Sequence, residues 1–361
     1  METLGELGEA ELLRRLAAYA PPGQLDDDAA LLEEHEGRAL VVNTDVLVEG
    51  VHFSDSTMGP EDLGWRAAAA NLSDLAAMGC GPVVGLTVGL VAPEHTPWPW
   101  VAGVYDGLHQ ALKTYGGQLL GGDCSGGRQR LLAVTALGHL KAGPIRRRDG
   151  RPGDVLVCTG HHGLSRLGLA LLLQELEPHR VPAELATAAI SAHRRPSPRF
   201  DAVAALVRSR PVGCPWRVGG TDSSDGLAAA LAAVAGTSGC QAVLNREALP
   251  LPAGLAALPQ GEAWCLEGGE DFELVLALEP AWAEALLQAL PEAQAIGRLQ
   301  AWEASGDRFT DPPSEQRHSQ ASGRGAQLLS WADGRPWLGS NGFRHFQTAN
   351  QAADLSRSST I

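Results

Sequence analysis

No two of the six cysteines stand in a CxxC pair. They lie at positions 80, 124, 158, 214, 240 and 265, which excludes a zinc knuckle or a dithiol redox motif and predicts reduced, mostly buried thiols. No apolar stretch reaches the roughly 18 residues of a membrane span. The opening METLGELGEAELLRRLAAYA patterns as an acidic amphipathic helix and lacks the basic start and apolar run of a signal peptide. These absences predict a soluble, cytoplasmic protein. Positive charge is scarce as well: 28 Lys and Arg face 42 Asp and Glu, a net charge of -14. A nucleic-acid or anionic-membrane surface wants clustered cations, so both are excluded as expected partners. There is no Walker A sequence and no kinase GxGxxG with HRD and DFG. No Ser-His or Cys-His nucleophile pair stands out.

What is present is a globular composition. Hydrophobic residues make up 44% of 361, enough for two domains and a substantial core. Apolar runs alternate with amphipathic stretches, the pattern of an α/β protein. Strands are predicted at 38–45, 83–92, 117–123 and 130–140, and helices at 61–79 and 98–114. RRRDGRPGD, 146–154, is polar and turn-rich and predicts a domain boundary. Beyond it come a strand at DVLVCTG, helices near 163–176, 182–193, 198–209 and 227–236, and a strand at 271–278 with a helix after it. Residues 311–327 pattern as an exposed loop, and the last fifteen as a disordered tail.

The acidic residues gather at the ends of apolar elements. Asp26, Asp27 and Asp28 precede AALL; Asp45 follows VVNT; Asp123 follows two glycines; Asp222 and Asp225 flank two serines; and Asp74 sits inside the alanine-rich RAAAANLSDLAAMGCG. A single one of these is ordinarily a cap or a turn former, and Asp225 before a helix is an N-cap candidate. As a set they offer oxygen ligands without a His or Cys cluster, which suits Mg²⁺. Mg²⁺ in such sites usually works on phosphate, so the expected chemistry is phosphoryl transfer. An ionised Asp74 in a buried helix costs several kcal/mol unless something answers it. Asn71, one turn earlier, shares its face. His52 in EGVHF, flanked by Glu49 and Phe53, is a further candidate. TGHHG, 159–163, is a strand-to-helix turn where an anion could bind, with a plain connecting turn as the simpler reading.

DDDAALL, NTDVLVEGVHF, NLSDLAAMG, LLGGD, SDGL and GGEDFEL occur in this order. Together they resemble the thiamine-monophosphate kinases, of the aminoimidazole ribonucleotide synthetase and selenophosphate synthetase superfamily. The resemblance runs over roughly residues 3–346, to NGFRHF. It implies an α/β (α+β) synthetase-like fold of two domains. The first, 1–145, would bind ATP and Mg²⁺ and pair with a second subunit so that the N-terminal sheets form a β-barrel. The second, 146–346, would be an α/β domain, with 347–361 a tail. It implies ATP-dependent phosphorylation of thiamine monophosphate to thiamine diphosphate by a homodimer, the last step of thiamine diphosphate biosynthesis.

By motif, the resemblance places several Mg²⁺ ions on Asp28, Asn43, Thr44, Asp45, Asp74, Asp123, Asp222 and Asp225. ATP would meet Gly122, Asp123, Arg148 and Ser224, and the thiamine substrate His52, Glu270 and Phe343. The sequence departs from the family pattern at Asp26 (usually Gly), Asn43 (Ser or Thr), Cys124 (Thr), Phe272 (Tyr) and His161–His162 of TGHHG. The chemistry agrees with the residues. The acceptor is already a phosphate, largely ionised near neutral pH, so no strong base is needed. Bound metal would screen two anions from each other, and Arg148 would add fixed positive charge. Two other readings remain open: a sister enzyme making an aminoimidazole nucleotide or selenophosphate, and a non-catalytic nucleotide-binding regulator. Selenophosphate synthetases usually carry a reactive Cys in a glycine-rich N-terminal loop, whereas the first cysteine here is Cys80.

Overall fold

The computed structural model describes residues 11, 27, 29–32, 39–302, 328–335, 337 and 339. Asp26, Asp28, Phe343, the 311–327 segment and the tail lie outside the described residues. Two sheets divide the chain. The first has five strands: β1 (Ala30–Leu32), β2 (Leu40–Val48), β3 (Cys80–Ala92), β4 (Gln118–Gly126) and β5 (Leu131–Leu140), in the order β1-β2-β5-β3-β4. All pairs are antiparallel except β3 with β4. The second has six: β6 (Val155–Cys158), β7 (Gly219–Asp222), β8 (Cys240–Leu244), β9 (Leu274–Leu278), β10 (Gln294–Ala301) and β11 (Leu329–Trp331), in the order β11-β8-β10-β6-β9-β7. The 146–154 stretch lies between the last strand of the first sheet and the first strand of the second.

The helices that matter to the site are α1 (Pro60–Ala77), α2 (Trp98–Tyr115), α3 (Leu164–Leu172), α4 (Ala183–Arg194), α5 (Phe200–Ser209), α6 (Leu227–Thr237), α7 (Gly261–Glu267) and α8 (Pro280–Ala289). Helices α1 and α2 cover one face of the first sheet. They approach closely because Gly64 and Gly107 meet the partner backbone: a Cβ on Gly64 would lie 1.9 Å from the Val104 carbonyl oxygen, and one on Gly107 1.9 Å from that of Glu61. Along β2 the side chains alternate, with Val41, Asn43 and Leu47 buried while Thr44 and Val46 are exposed.

The second sheet is covered on both faces. Helix α6 packs with Leu156, Cys158, Ala242 and Val275 on one side. Helices α5 and α8 pack with Val155, Val157, Leu274 and Leu276 on the other. For that reason VLVC and LVLAL are unbroken apolar strands although the sheet is largely antiparallel. Helix α1 belongs to both cores. Its first part packs on the first sheet, and Ala76 and Ala77 join the Ile145–Trp282 core of the second domain.

Candidate functional site

Asp74 is answered by an amide. Asn43, projecting from β2 toward α1, donates its Nδ2 hydrogen to Asp74 Oδ2 at 2.6 Å and to Asn71 Oδ1 at 3.3 Å. The orientation of this network follows from its donors. Asn71 Oδ1 accepts from the Asp45 backbone N–H at 3.2 Å, and Asn71 Nδ2 donates to the Ala67 carbonyl at 2.9 Å. Asn43 Nδ2 must therefore face the acceptors, which leaves Asn43 Oδ1 buried without a partner. A buried amide oxygen without a donor is costly, and it is the kind of oxygen a hard cation ligates.

One residue before Asp74, Ser73 points the other way. Its hydroxyl donates to Asp222 Oδ2 at 2.6 Å across the domain boundary. Asp222 Oδ1 accepts the Ser224 hydroxyl at 2.9 Å. Helix α1 thus touches Asn43 of the first domain through Asp74 and Asp222 of the second through Ser73. Asp27 adds to this edge: its Oδ1 accepts from the Arg147 backbone N–H at 2.9 Å, and Arg147 Nε donates to Thr221 at 3.3 Å. The guanidinium turned toward Thr221 belongs to Arg147, while Arg148 is the exposed member of the pair. Arg147 was missed from sequence because RRR offers three equivalent cations.

Other expected ligands lie elsewhere. The Thr44 side chain is on the opposite face of β2, its hydroxyl 2.8 Å from that of Thr135. Asp123 is exposed in β4, three strand spacings from β2, or about 14 Å. Gly122 has a packing reason independent of any phosphate: a Cβ there would lie 2.0 Å from the Val88 carbonyl oxygen. Asp225 is not a helix cap, because the N-cap of α6 is Gly226 and no side chain caps it. Among the described residues no three His, Cys, Asp or Glu side chains are grouped tightly enough to enclose a metal by themselves. The oxygen donors along this stretch are the carboxylates of Asp74 and Asp222 and the buried amide oxygen of Asn43, groups of the kind Mg²⁺ takes together with phosphate and water.

A second group surrounds Glu270. GGEDFEL forms a tight loop with positive φ at Gly269 (67°), Glu270 (59°) and Phe272 (53°), a conformation costly for side-chain-bearing residues. It is held by the Glu270 N–H donating to the Ser224 carbonyl at 2.6 Å and by an ion pair between Glu270 and Arg66 of α1. Burial works to raise the Glu270 carboxyl. The Arg66 guanidinium outweighs it, with smaller help from His193 and His52, and holds the group below the usual carboxylate range. His52 Nδ1 accepts the Val48 N–H at 3.0 Å, so in the neutral ring the proton is on Nε2. Its loop is pinned by Arg130, which pairs with Glu49 and Asp55 and lies 4.8 Å over the Trp100 ring.

The TGHHG turn does not leave its helix end open to a ligand. Asp271 accepts from the N–H groups of Gly163 at 2.7 Å and Ser165 at 3.0 Å, filling the α3 N-terminus with the protein's own carboxylate. Burial pushes that carboxyl up to about 7. His162 turns inward instead, with Nε2 3.0 Å from Ser223 Oγ and Nδ1 3.2 Å from the Gly160 carbonyl oxygen. Burial keeps it neutral, lowering its pKa to about 4.

Comparison with known proteins identifies the family. Residues 26–140 match the family AIR synthase related protein, N-terminal domain, and residues 151–306 its C-terminal domain. The chain is 49% identical over 300 residues to a thiamine-monophosphate kinase of Prochlorococcus marinus, covering 82% of this chain and 90% of the relative. It is 50% identical over 303 residues to that of Synechococcus elongatus, with the same coverage. The solved structure of AaThiL complexed with AMPPCP and TMP superposes with a TM-score of 0.77 at 27% identity, covering 96% of this chain and 99% of that one. Thiamine monophosphate kinase from Aquifex aeolicus gives 0.69 at 29% identity, covering 86% and 100%. The hydrogenase maturation protein HypE, at 20% identity and a TM-score of 0.64, covering 92% of this chain and 98% of that one, shares the fold. With both halves matched in order and half of the aligned residues shared with such kinases, the chain belongs to the thiamine-monophosphate kinases of the AIR synthase-related family.

Proposed function

We infer that this protein transfers the γ-phosphoryl group of ATP to thiamine monophosphate, giving thiamine diphosphate and ADP. The observation that carries the reading is the unpartnered Asn43 Oδ1 beside Asp74, with Asp222 reached through the neighbouring Ser73. Oxygen donors of both domains lie along helix α1 on either side of Ser73 and Asp74. We assign Mg²⁺ to Asn43, Asp45, Asp74 and Asp222, with Asp28 as a further proposed ligand, and propose Thr44, Asp123 and Asp225, which lie elsewhere, for further ions. Bound there, Mg²⁺ would neutralise charge on the phosphates and on the group in transfer.

The chain's own residues divide the remaining work. Gly122, Asp123, Arg148 and Ser224 are proposed contacts of ATP, and Arg147 bonds both Asp27 and Thr221. His52 offers an Nε2–H donor, and the ionised Glu270 attracts the cationic thiazolium. Phe343 is proposed to stack on a ring of the acceptor. Residues 1–145 then serve ATP, metal and dimer formation, and 146–346 complete the site.

The expected homodimer is supported by apolar side chains of the first sheet that the described residues leave exposed. Val46 is 45% exposed, and Leu119 and Leu120 are 46% and 45% exposed. A second copy packed on that sheet would bury them. No helix among the described residues is long and apolar enough to cross a membrane, and the reading places the enzyme in the cytoplasm with its nucleotide. ADP release measured with thiamine monophosphate, an aminoimidazole-nucleotide precursor or selenide as acceptor tests the function. Release that depends on thiamine monophosphate is expected, and its absence with Mg²⁺ and ATP present overturns the reading.

A further inference from the structure

Arg66 is 2% exposed in the middle of an alanine-rich face of α1. Dehydrating a guanidinium is expensive, and an apolar side chain would fill the same space without that cost. Its contacts show what the charge does. Nη2 pairs with Glu270 Oε1, and Nη1 donates to the His193 carbonyl at the end of α4. His193 Nδ1 is engaged with the Ser165 hydroxyl at 3.1 Å and stands 3.9 Å from Glu270 Oε2, beyond a direct hydrogen bond. Burial and the adjacent Arg66 hold that imidazole neutral, its pKa lowered to about 4. Arg66 is therefore the cation that fixes Glu270. The Glu270 side chain is 36% exposed, so it can meet a ligand that Arg66 cannot reach.

The same helix holds the other end of the site. Ser73 follows Arg66 by seven residues, two turns along one stripe of α1, a rise of about 10.5 Å. One stripe thus grips Glu270 at one end and Asp222 at the other. We propose that Arg66 is a positioning residue for the acceptor. It holds Glu270, in its left-handed backbone conformation, ionised and aimed at the cationic end of thiamine monophosphate. Helix α1 sets the distance from that carboxylate to the metal-binding end, where the acceptor phosphate lies. The specificity this confers is for an acceptor with a cation a fixed distance from its phosphate. The proposal rests on the reading of Glu270 as an acceptor contact.

Steady-state kinetics with Mg²⁺ and ATP test it on Arg66→Met, Arg66→Gln, Arg66→Lys and Glu270→Gln. Arg66→Met is expected to raise the KM for thiamine monophosphate at least tenfold and leave the KM for ATP within twofold. Arg66→Lys, which keeps the charge, recovers most of that loss, and combining Arg66→Met with Glu270→Gln adds little to either. Should Arg66→Met fail to fold, Arg66→Gln decides, because it can still donate to the His193 carbonyl without carrying charge; the same rise in KM is expected. A thiamine monophosphate KM that stays within twofold of wild type in the neutral variants, while Glu270→Gln raises it, overturns the positioning role. An unchanged KM in Glu270→Gln instead removes Glu270 from the acceptor site and the proposal with it, while thiamine-dependent ADP release in that variant leaves the activity itself standing.

Discussion

The Asn43 amide nitrogen lies 2.6 Å from Asp74 Oδ2, in a stretch where sequence shows no cation for that carboxylate. A neutral donor can hold one oxygen of an aspartate without cancelling its charge, so Asp74 remains available to a metal. Asn43→Asp would place two carboxylates in contact. Without metal the variant should melt several degrees below wild type, and added Mg²⁺ should raise its melting temperature more than that of wild type. Calorimetry in EDTA and in Mg²⁺ checks both, and equal melting temperatures in EDTA would show that the two side chains are not neighbours.

Ser73→Ala removes a buried hydroxyl from Asp222 and loosens the junction between the domains. A hydrogen bond to a charged group contributes about 1.5–3 kcal/mol, so urea unfolding should show a loss of that order. The KM for ATP with Mg²⁺ should rise as Asp222 loses its orientation. Unchanged stability would mean that the hydroxyl and carboxylate do not meet in solution.

His162 gives the protein a dependence on acid. Its pKa is lowered to about 4 by burial, from an ordinary value of 6.5. Between those values the unfolded chain takes up a proton that the folded chain refuses, so stability falls as pH falls through that window. His162→Asn lacks this term. The stability advantage of wild type over the variant should therefore be about 2 kcal/mol larger at pH 7 than at pH 5. Denaturant titrations at the two pH values measure it, and a pH-independent difference would contradict a buried neutral imidazole.

Cys124 follows the metal candidate Asp123 but is exposed on β4, and a phosphate acceptor needs no cysteine nucleophile. Cys124→Thr should retain turnover within about twofold of wild type, a difference of roughly 0.4 kcal/mol in the barrier. Complete loss of turnover in a folded variant would revive a covalent role for the thiol.

The sequence by itself determined the two-domain α/β organisation and the family. Helix α1 was legible over 61–79 and spans Pro60–Ala77, and the strand predicted at 130–140 is β5, Leu131–Leu140, because each carries its period within a few turns or residues. The strands β8 and β10 were not legible, since CQAVL and QAIGRLQA are short and take their strand state from pairing with each other. The ordered motifs NLSDLAAMG and GGEDFEL marked the family and the aspartates worth following. Which atoms meet was left to the tertiary structure. Sequence spacing cannot show that Asn43 answers Asp74, that Ser73 crosses to Asp222, that Asp271 fills its own helix end, or that Arg66 reaches Glu270 some two hundred residues away. Those partners are distant in the chain; the packing of α1 between the two domains brings together all of them except Asp271 and the α3 N-terminus, which meet within the second domain.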